Sequence, residues 1–209
     1  PHTHQFRVTL TVARPAERQR LSLPAWIPGS YLVREFARHL SGMDARQGAR
    51  TLTLRQLDKA TWEVDCQPRG ALVVSYLVYA FDTSVRAAFL DAHRGFFNGT
   101  SVFLRVEGRE DEPQRLQIGA LPRGWQVATA MSPVKVDAAG RGSYEAADYH
   151  ELVDHPVDVP RMSVLQNNAF AAWQALADAG QSGHQQHRRA NFDRQLIERI
   201  PDRIVRRVT

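Results

Sequence analysis

Cysteine is nearly absent from this sequence, and its shortage excludes a fold held together by disulfides. The one cysteine among the 209 residues, Cys66, has no partner for an internal bridge. It ends the alternating run Trp62, Val64, Cys66, a pattern typical of a small buried apolar side chain. A catalytic thiol needs a histidine partner and an electropositive setting, and the residues around Cys66 offer neither. The chain is long enough for a hydrophobic core to stabilise it instead.

Lysine is scarce as well, so that nearly all of the 27 basic residues are arginine. A nucleic-acid-binding protein gathers its positive charge into a patch interleaved with aromatic residues, but these arginines are spread among 22 acidic residues. One dense group alternates with acidic side chains, which predicts an exposed helix face. It comprises Arg188, Arg189, Arg194, Arg199, Arg203, Arg206 and Arg207. We therefore expect no nucleic-acid partner. Nucleic-acid binding through this arginine group stays an alternative, and it predicts an affinity that falls steeply with salt concentration.

Long apolar runs are missing too. No segment approaches the roughly 20 apolar residues that a membrane-spanning helix needs, so we expect no membrane span. The first residues, Pro1 to His4, lack the charged-then-apolar order of a signal peptide, and the start at Pro1 resembles a processed terminus. The compartment stays open between bacterial cytoplasm and periplasm.

The sequence also lacks the short motifs of catalysis. A zinc-peptidase helix carries two histidines four residues apart, with a glutamate directly after the first. His150 precedes a glutamate, but His155 comes one residue too late, which on a helix points the two rings about 140° apart. His184 and His187 have no evident third ligand. Nucleophile-elbow, phosphate-loop and dinucleotide fingerprints are absent. We predict no catalytic and no metal-binding residues in this chain.

Alternation of apolar and polar residues dominates the first three quarters of the sequence. Residues 6–12 alternate strictly, which predicts a strand with one buried face, and residues 72–81 are apolar at nearly every position, which predicts a central strand covered on both faces. Further short strands are predicted at 52–54, 61–66, 102–106, 116–118 and 125–128. Turn residues separate them, as in Leu121-Pro122-Arg123-Gly124. Short strands at this spacing predict a sandwich or a barrel, and we expect an antiparallel β-sandwich with a short helix after the Pro-Gly turn.

The periodicity changes after about residue 158. Strong helix formers fill 169–179, and a second apolar set recurs at steps of three and four residues, interrupted by Pro201. That set is Phe192, Leu196, Ile197, Ile200, Ile204 and Val208. We therefore predict a β domain over 1–158 and, over 159–209, a helical extension or the truncated start of a second domain.

Residues 23–40 are the most informative stretch. Pro28-Gly29 ends a strand, Ser30 is a candidate helix cap, and Leu32, Phe36 and Leu40 align on one face of a predicted short helix. Physical reasoning alone favours a structural element that closes one end of the sandwich, with Trp26 in the core and the charged residues solvated.

The same stretch closely resembles the glycyl aminopeptidase family of zinc metallopeptidases, large proteins that usually end in a PDZ domain. Collinear similarity continues through five further segments. They are Asp58-Lys59-Ala60-Thr61-Trp62-Glu63-Val64, Tyr76-Leu77-Val78-Tyr79-Ala80, Ser84-Val85-Arg86, Phe96-Phe97-Asn98-Gly99 and the run from Asp148 to Val157. The resemblance implies a parent with an amino-terminal β-sandwich, a catalytic domain that holds zinc through His-Glu-Xaa-Xaa-His, and a PDZ domain.

This chain would then be the amino-terminal domain, inactive alone and without zinc of its own. Its expected partners are the catalytic domain of the same polypeptide and a peptide substrate, with a preference for amino-terminal glycine or alanine implied by the resemblance. The rival interpretation is a free-standing β-sandwich module that binds carbohydrate or protein through Trp26, Trp62, Tyr79 or Trp125. Their places in or beside strands favour the core for most of these rings.

An aminopeptidase needs an acidic group for the substrate's α-ammonium. Glu35 is the first candidate, and Asp82 and Asp91, from a long polar loop after the central strand, are the next. Tyr31 and Arg34 complete the predicted substrate-binding set, because they share the polar side of the element that contains Glu35.

Overall fold

The structure is a computed structural model that describes residues 3–27, 32–161 and 203–208. One α-helix, α1 (Tyr149–Asp154), and two 3-10 helices, Phe36–His39 and Gly99–Ser101, lie in this part of the chain. The strands are β1 (Gln5–Val12), β2 (Arg18–Ser22), β3 (Leu40–Gln47), β4 (Arg50–Leu52), β5 (Leu54–Gln56), β6 (Thr61–Asp65), β7 (Leu72–Tyr79), β8 (Ala88–Leu90), β9 (Arg94–Phe97), β10 (Arg105–Val106), β11 (Gln114–Ile118), β12 (Ser132–Val136), β13 (Gly142–Ala146), β14 (Val157–Pro160) and β15 (Arg203–Val208). The predicted mainly β fold is confirmed.

Three sheets organise these strands. The largest has eight strands in the order β12-β13-β11-β15-β1-β7-β3-β4, and it is antiparallel except where β15 runs parallel to β1. A four-stranded sheet has the order β10-β2-β6-β5, and a three-stranded sheet has the order β14-β9-β8. β7 lies between β1 and β3, as predicted for a central strand, although its second face is only half-buried.

One hydrophobic core joins the three sheets. Along β1 the four apolar side chains Phe6, Val8, Leu10 and Val12 are all buried, so the strict alternation placed this strand correctly. Trp62 from the four-stranded sheet and Phe97 from the three-stranded sheet belong to the same core, together with Cys66. Burial raises the pKa of the Cys66 thiol, in line with a packed apolar side chain.

The prediction of a helical extension over 159–209 is wrong at both ends that the structure describes. Val159 and Pro160 belong to β14, and residues 203–208 form β15 within the main sheet. Ile204 and Val208 lie four residues apart, a spacing that fits a strand face as well as a helix face. Arg206, which we expected on an exposed helix, is buried between them. The predicted helices of 169–200 lie outside the described residues.

The short helix predicted after Pro28-Gly29 is smaller than expected. It is the single 3-10 turn Phe36–His39, and its cap residue Glu35 makes no capping hydrogen bond through its side chain. Phe36 is buried, whereas Leu32 is exposed and Leu40 already begins β3. Trp26, which we placed in the core, is 54% exposed. No helix of the described residues has the length and apolar character needed to cross a membrane.

Candidate functional site

A shallow groove of about 320 Å³ opens where the end of β7 meets the 3-10 turn that precedes β3. Its lining residues are Arg38, His39, Tyr79, Phe81, Asp82 and Thr83. Strand register explains why these residues meet. Leu40 of β3 pairs with Val78 of antiparallel β7, so the residue before Leu40 faces the residue after Val78. The rings of His39 and Tyr79 are accordingly stacked, with their centroids 6.3 Å apart.

Aromatic rings continue the wall of the groove. Tyr79 and Phe81 are 45% and 53% exposed, and the ring of His4 lies 4.1 Å from Phe81 and 6.5 Å from Tyr79. Phe81 also stacks on Phe89 at 5.6 Å. Exposed contiguous aromatic surface of this kind marks a binding or interface region more often than an inert one.

His4 is held firmly in this surface. Its backbone lies in the left-handed region at φ 49°, which is uncommon for a residue other than glycine. The Ala80 N–H donates to the His4 carbonyl at 2.7 Å, and His4 Nδ1 donates to the Leu90 carbonyl at 2.5 Å. These two bonds fix the ring against Phe81 and offset the strain of the backbone.

Among the predicted site residues that the structure describes, Asp82 alone lies in the groove. Its Oδ1 accepts the Ser84 N–H at 2.8 Å, and its own N–H donates to the Ala88 carbonyl at 3.1 Å, so the start of the loop is fixed. Its Oδ2 accepts no hydrogen bond from the described residues. A carboxylate with one open oxygen beside exposed aromatic rings is an arrangement that binds ammonium groups.

His39 interacts electrostatically with both charged residues of the groove, Arg38 and Asp82. Burial lowers the pKa of His39, and the neighbouring Arg38 lowers it further against the opposing effect of Asp82. Arg38 Nε donates to His39 Nε2 at 3.1 Å, which requires that nitrogen to be unprotonated. The imidazole is therefore neutral at physiological pH and does not neutralise Asp82.

Glu35 is already paired. Its carboxylate accepts a hydrogen bond from Lys59 Nζ at 2.9 Å, and both side chains are exposed. The bond to Lys59 lowers the pKa of Glu35 and raises that of Lys59. The pair links two segments that carried the family resemblance, and it gives Glu35 a partner before any substrate arrives.

Arg34 and Asp91 do not line the groove. Asp91 stabilises a turn, because its Oδ1 accepts the N–H groups of His93 and Arg94, both at 2.7 Å. The N–H of Arg34 donates to the Ala25 carbonyl at 2.6 Å, and its buried Nε has no hydrogen-bond partner among the described residues. Tyr31 lies outside the described residues.

Sequence reasoning missed three aromatic members of the site, His4, His39 and Phe81, and it named Tyr79 only as a candidate platform of the rival binding module. Tyr79 stood in an apolar run and was read as a buried position. Its position seven residues after Leu72 carried a signal, since odd steps along a strand place the side chain on the opposite face from the buried residues at 72, 74, 76 and 78.

The described residues do not form a metal centre. No group of three histidine, cysteine, aspartate or glutamate side chains converges among them, so they do not fit a zinc site. His150 lies within α1 and His155 at its end. His184 and His187 lie outside the described residues, so the absence of metal ligands from the whole chain stays a prediction.

Two comparisons with known proteins relate this chain to peptidases. The family model of the peptidase M61 N-terminal domain matches residues 1–159. The crystal structure of an aminopeptidase N family protein from Idiomarina loihiensis is 39% identical over 76% of this chain, with a TM-score of 0.72, and the match spans 27% of that protein's chain. An M1 zinc metallopeptidase variant from Deinococcus radiodurans is 13% identical over 74% of this chain and 41% of its own, with a TM-score of 0.39 that is too low to indicate a shared fold. No curated protein matches the sequence.

Proposed function

Because the chain belongs to the peptidase M61 N-terminal domain family, we propose that it is the non-catalytic amino-terminal domain of a zinc-dependent aminopeptidase and lines its substrate cleft. The chain spans about a quarter of the length of the Idiomarina relative, which leaves most of such a parent for a catalytic domain. Zinc would polarise the scissile carbonyl and activate water in that domain. Since the described residues do not fit a zinc site, no step at the metal is assigned to them.

The observation that carries this proposal is the groove that holds Asp82. It combines one partly unsatisfied carboxylate, exposed Tyr79 and Phe81, and a neutral imidazole at His39. A peptide's α-ammonium would bind Asp82 Oδ2, and the rings would exclude water from that contact and strengthen it. This assigns Asp82 the role for which Glu35 was the first candidate.

Glu35 and Lys59 then have a different role. Their exposed ion pair connects the loop before the 3-10 turn to the β5–β6 turn, and so helps to position the rim of the cleft. Arg34 lies on the same segment, and its guanidinium would contact main-chain carbonyls or carboxylates of the substrate or of the catalytic domain. A preference for amino-terminal glycine or alanine also belongs to the proposal, because a small side chain lets the ammonium approach the carboxylate closely.

Asp82→Asn in the full-length parent tests this assignment. We expect kcat/KM for a glycyl or alanyl arylamide to fall roughly 30- to 1000-fold, which corresponds to a loss of about 2 to 4 kcal/mol of transition-state stabilisation. The melting temperature should change little. The reason is that the charge pair forms only when substrate is bound.

Asp91→Asn is the matched control, because it makes the same chemical change in the nearby β8–β9 turn and keeps an oxygen for the capping bonds. It should leave kcat/KM within about twofold. Unchanged kinetics for Asp82→Asn, with a lowered melting temperature, would make Asp82 a structural residue.

A second candidate function rests on the exposed rings of Trp26 and Tyr79. A free-standing carbohydrate-binding module presents such aromatic platforms, although Trp62 and Trp125, the other two candidates, are buried in the core. Saturable binding of a glycan by the isolated chain, lost on Tyr79→Ala, would favour this alternative.

A further inference from the structure

The last described strand, β15, occupies the centre of the main sheet. It runs parallel to β1, with Ile204 opposite Val8 and Val208 opposite Val12, and antiparallel to β11, with Ile204 opposite Ile118. Without β15 the eight-stranded sheet would divide into β12-β13-β11 and β1-β7-β3-β4. Both walls of this slot lie within residues 1–159, which the family model matches, whereas the strand that fills it lies outside that match.

Arg206 is the largest fully buried side chain among the described residues, at 1% exposure. Its Nη2 and Nε donate to Gln114 Oε1 at 2.6 and 3.2 Å, and its Nη1 donates to the Leu104 carbonyl. The guanidinium carbon lies 5.2 Å from the ring centre of Tyr149 and 5.9 Å from that of Phe103. No carboxylate of the described residues pairs with it, so neutral oxygens and aromatic faces alone compensate this buried charge.

Most of the groups that surround the guanidinium are held by hydrogen bonds that do not involve Arg206. Three successive carbonyls, of residues 102, 103 and 104, each receive one buried donor, from Tyr76 Oη, Tyr149 Oη and Arg206 respectively. The amide of Gln114 donates to the Glu112 carbonyl at 2.6 Å, which turns Oε1 toward the guanidinium. Removal of Arg206 would leave the Leu104 carbonyl and Gln114 Oε1 buried without donors, and buried acceptors without donors destabilise the folded state.

We propose that the slot between β1 and β11 is a strand-binding site with a built guanidinium pocket. Its ligand is a β-strand with arginine at its centre and a branched aliphatic residue two positions away on each side, here the chain's own Ile204, Arg206 and Val208. Alternate residues share a strand face, so these three side chains enter the core together. The aliphatic positions contribute to the register of the site, because a strand shifted by one residue would place either Arg207 or Thr209 in the position of Val208, and neither is aliphatic.

Arg207 offers a matched control, since it carries the same side chain on the next residue but faces solvent. In the full chain we expect Arg206→Ala to lower the melting temperature by about 10 °C, and Arg207→Ala to change it by less than about 2 °C. Arg206→Lys should lie between them, because an ammonium cannot reach Gln114 and Leu104 together in the same geometry.

Peptide binding tests the site itself. A fluorescein-labelled peptide of residues 201–209 should bind the Arg206→Ala chain, whose own strand is weakened, and raise its melting temperature. The same peptide with alanine in place of Arg206 should bind at least tenfold more weakly, and the peptide with alanine in place of Arg207 should bind as the original does.

Hydrogen exchange of the unaltered chain decides the question if the Arg206 variants do not fold. The amides of β15 should be as protected as those of β1, and much more protected than those of the edge strand β12. Protection that is lost when a dimer is diluted to monomers would assign the strand to a second copy and support the same site. Exchange of β15 as fast as that of β12, or equal melting temperatures for the Arg206→Ala and Arg207→Ala chains, would overturn the proposal.

Discussion

At the scale of single residues, the clearest electrostatic feature outside the groove is the carboxylate of Glu63. It is buried in β6 between two arginines, with Oε2 3.1 Å from Arg20 Nε and Oε1 2.9 Å from Arg55 Nη2. The hydrogen bonds from Arg55 and Arg20 lower the pKa of Glu63 below 4.5. A group whose pKa is lowered in the folded state stabilises the fold above its unfolded pKa, and this contribution disappears as the pH falls through the lowered value.

We predict that Glu63→Gln lowers the melting temperature at pH 7, and that the difference from the unaltered chain shrinks as the pH falls below 4.5 and through the lowered pKa of Glu63. Thermal melts over that range measure it. Glu145→Gln serves as the control, because Glu145 is more exposed and lies 3.4 Å from Arg115. A difference that persists undiminished at pH 2.5 would show that shape rather than charge makes Glu63 important.

The sequence predicted the burial of several residues better than it predicted the groups that they contact. Cys66 and Trp62 are buried because their positions in an alternating strand required it. The partner of Glu35 could not be predicted, since Lys59 lies 24 residues away and meets it only through the loop geometry. Arg206 was placed on the surface because charge normally indicates exposure, and its compensating groups come from three distant segments.

At the scale of elements, two segments that carried the family resemblance contact each other. Asn98 caps the 3-10 helix Gly99–Ser101 by accepting the Thr100 N–H, and Asp148 caps α1 by accepting the Glu151 N–H at 2.7 Å. Gly99 lies directly against α1, so that a Cβ there would be 2.8 Å from Val153 Cα and 3.2 Å from the Leu152 carbonyl oxygen. The absence of a side chain at this position permits the two elements to pack.

We therefore predict that Gly99→Ala destabilises the fold by about 1 to 3 kcal/mol, because backbone atoms must move to make room for the methyl group. Denaturant unfolding of the purified chain provides the measurement. Gly95→Ala is the matched control, since the nearest atoms to its Cβ are side-chain carbons at 3.4 to 3.6 Å. If both variants unfold at the same denaturant concentration, the close approach at Gly99 has been overestimated.

Elements with one clear periodicity were predicted and ambiguous ones were not. The four alternating apolar residues of β1 fit only a half-buried strand. In β15 the aliphatic residues at 204 and 208 fit both periods, and the arginine between them hid the strand face. The helix predicted around Phe36–His39 was too long, because Leu32 and Leu40 complete a helical spacing although β3 already begins at Leu40.

At the scale of the whole molecule, the β fold includes a strand that lies far along the chain from the other strands. β14 runs to Pro160 and β15 completes the main sheet from residue 203, so the described fold takes strands from both sides of residues 162–202. The boundary at 158 between a β domain and a second unit stays a prediction. The groove and the strand slot are separate sites, since the first lies at the end of β7 and the second between β1 and β11.

We propose, as the central point, that this chain is the amino-terminal, non-catalytic part of a zinc-dependent aminopeptidase. The most direct test is the hydrolysis of a glycyl or alanyl arylamide by three samples: the isolated chain, the full-length parent, and the parent after chelation of its metal. We predict release of the arylamine by the untreated parent alone, and its recovery when zinc is returned to the chelated sample. Hydrolysis by the isolated chain at a rate comparable to that of the parent, or undiminished hydrolysis after complete removal of the metal, would contradict the account.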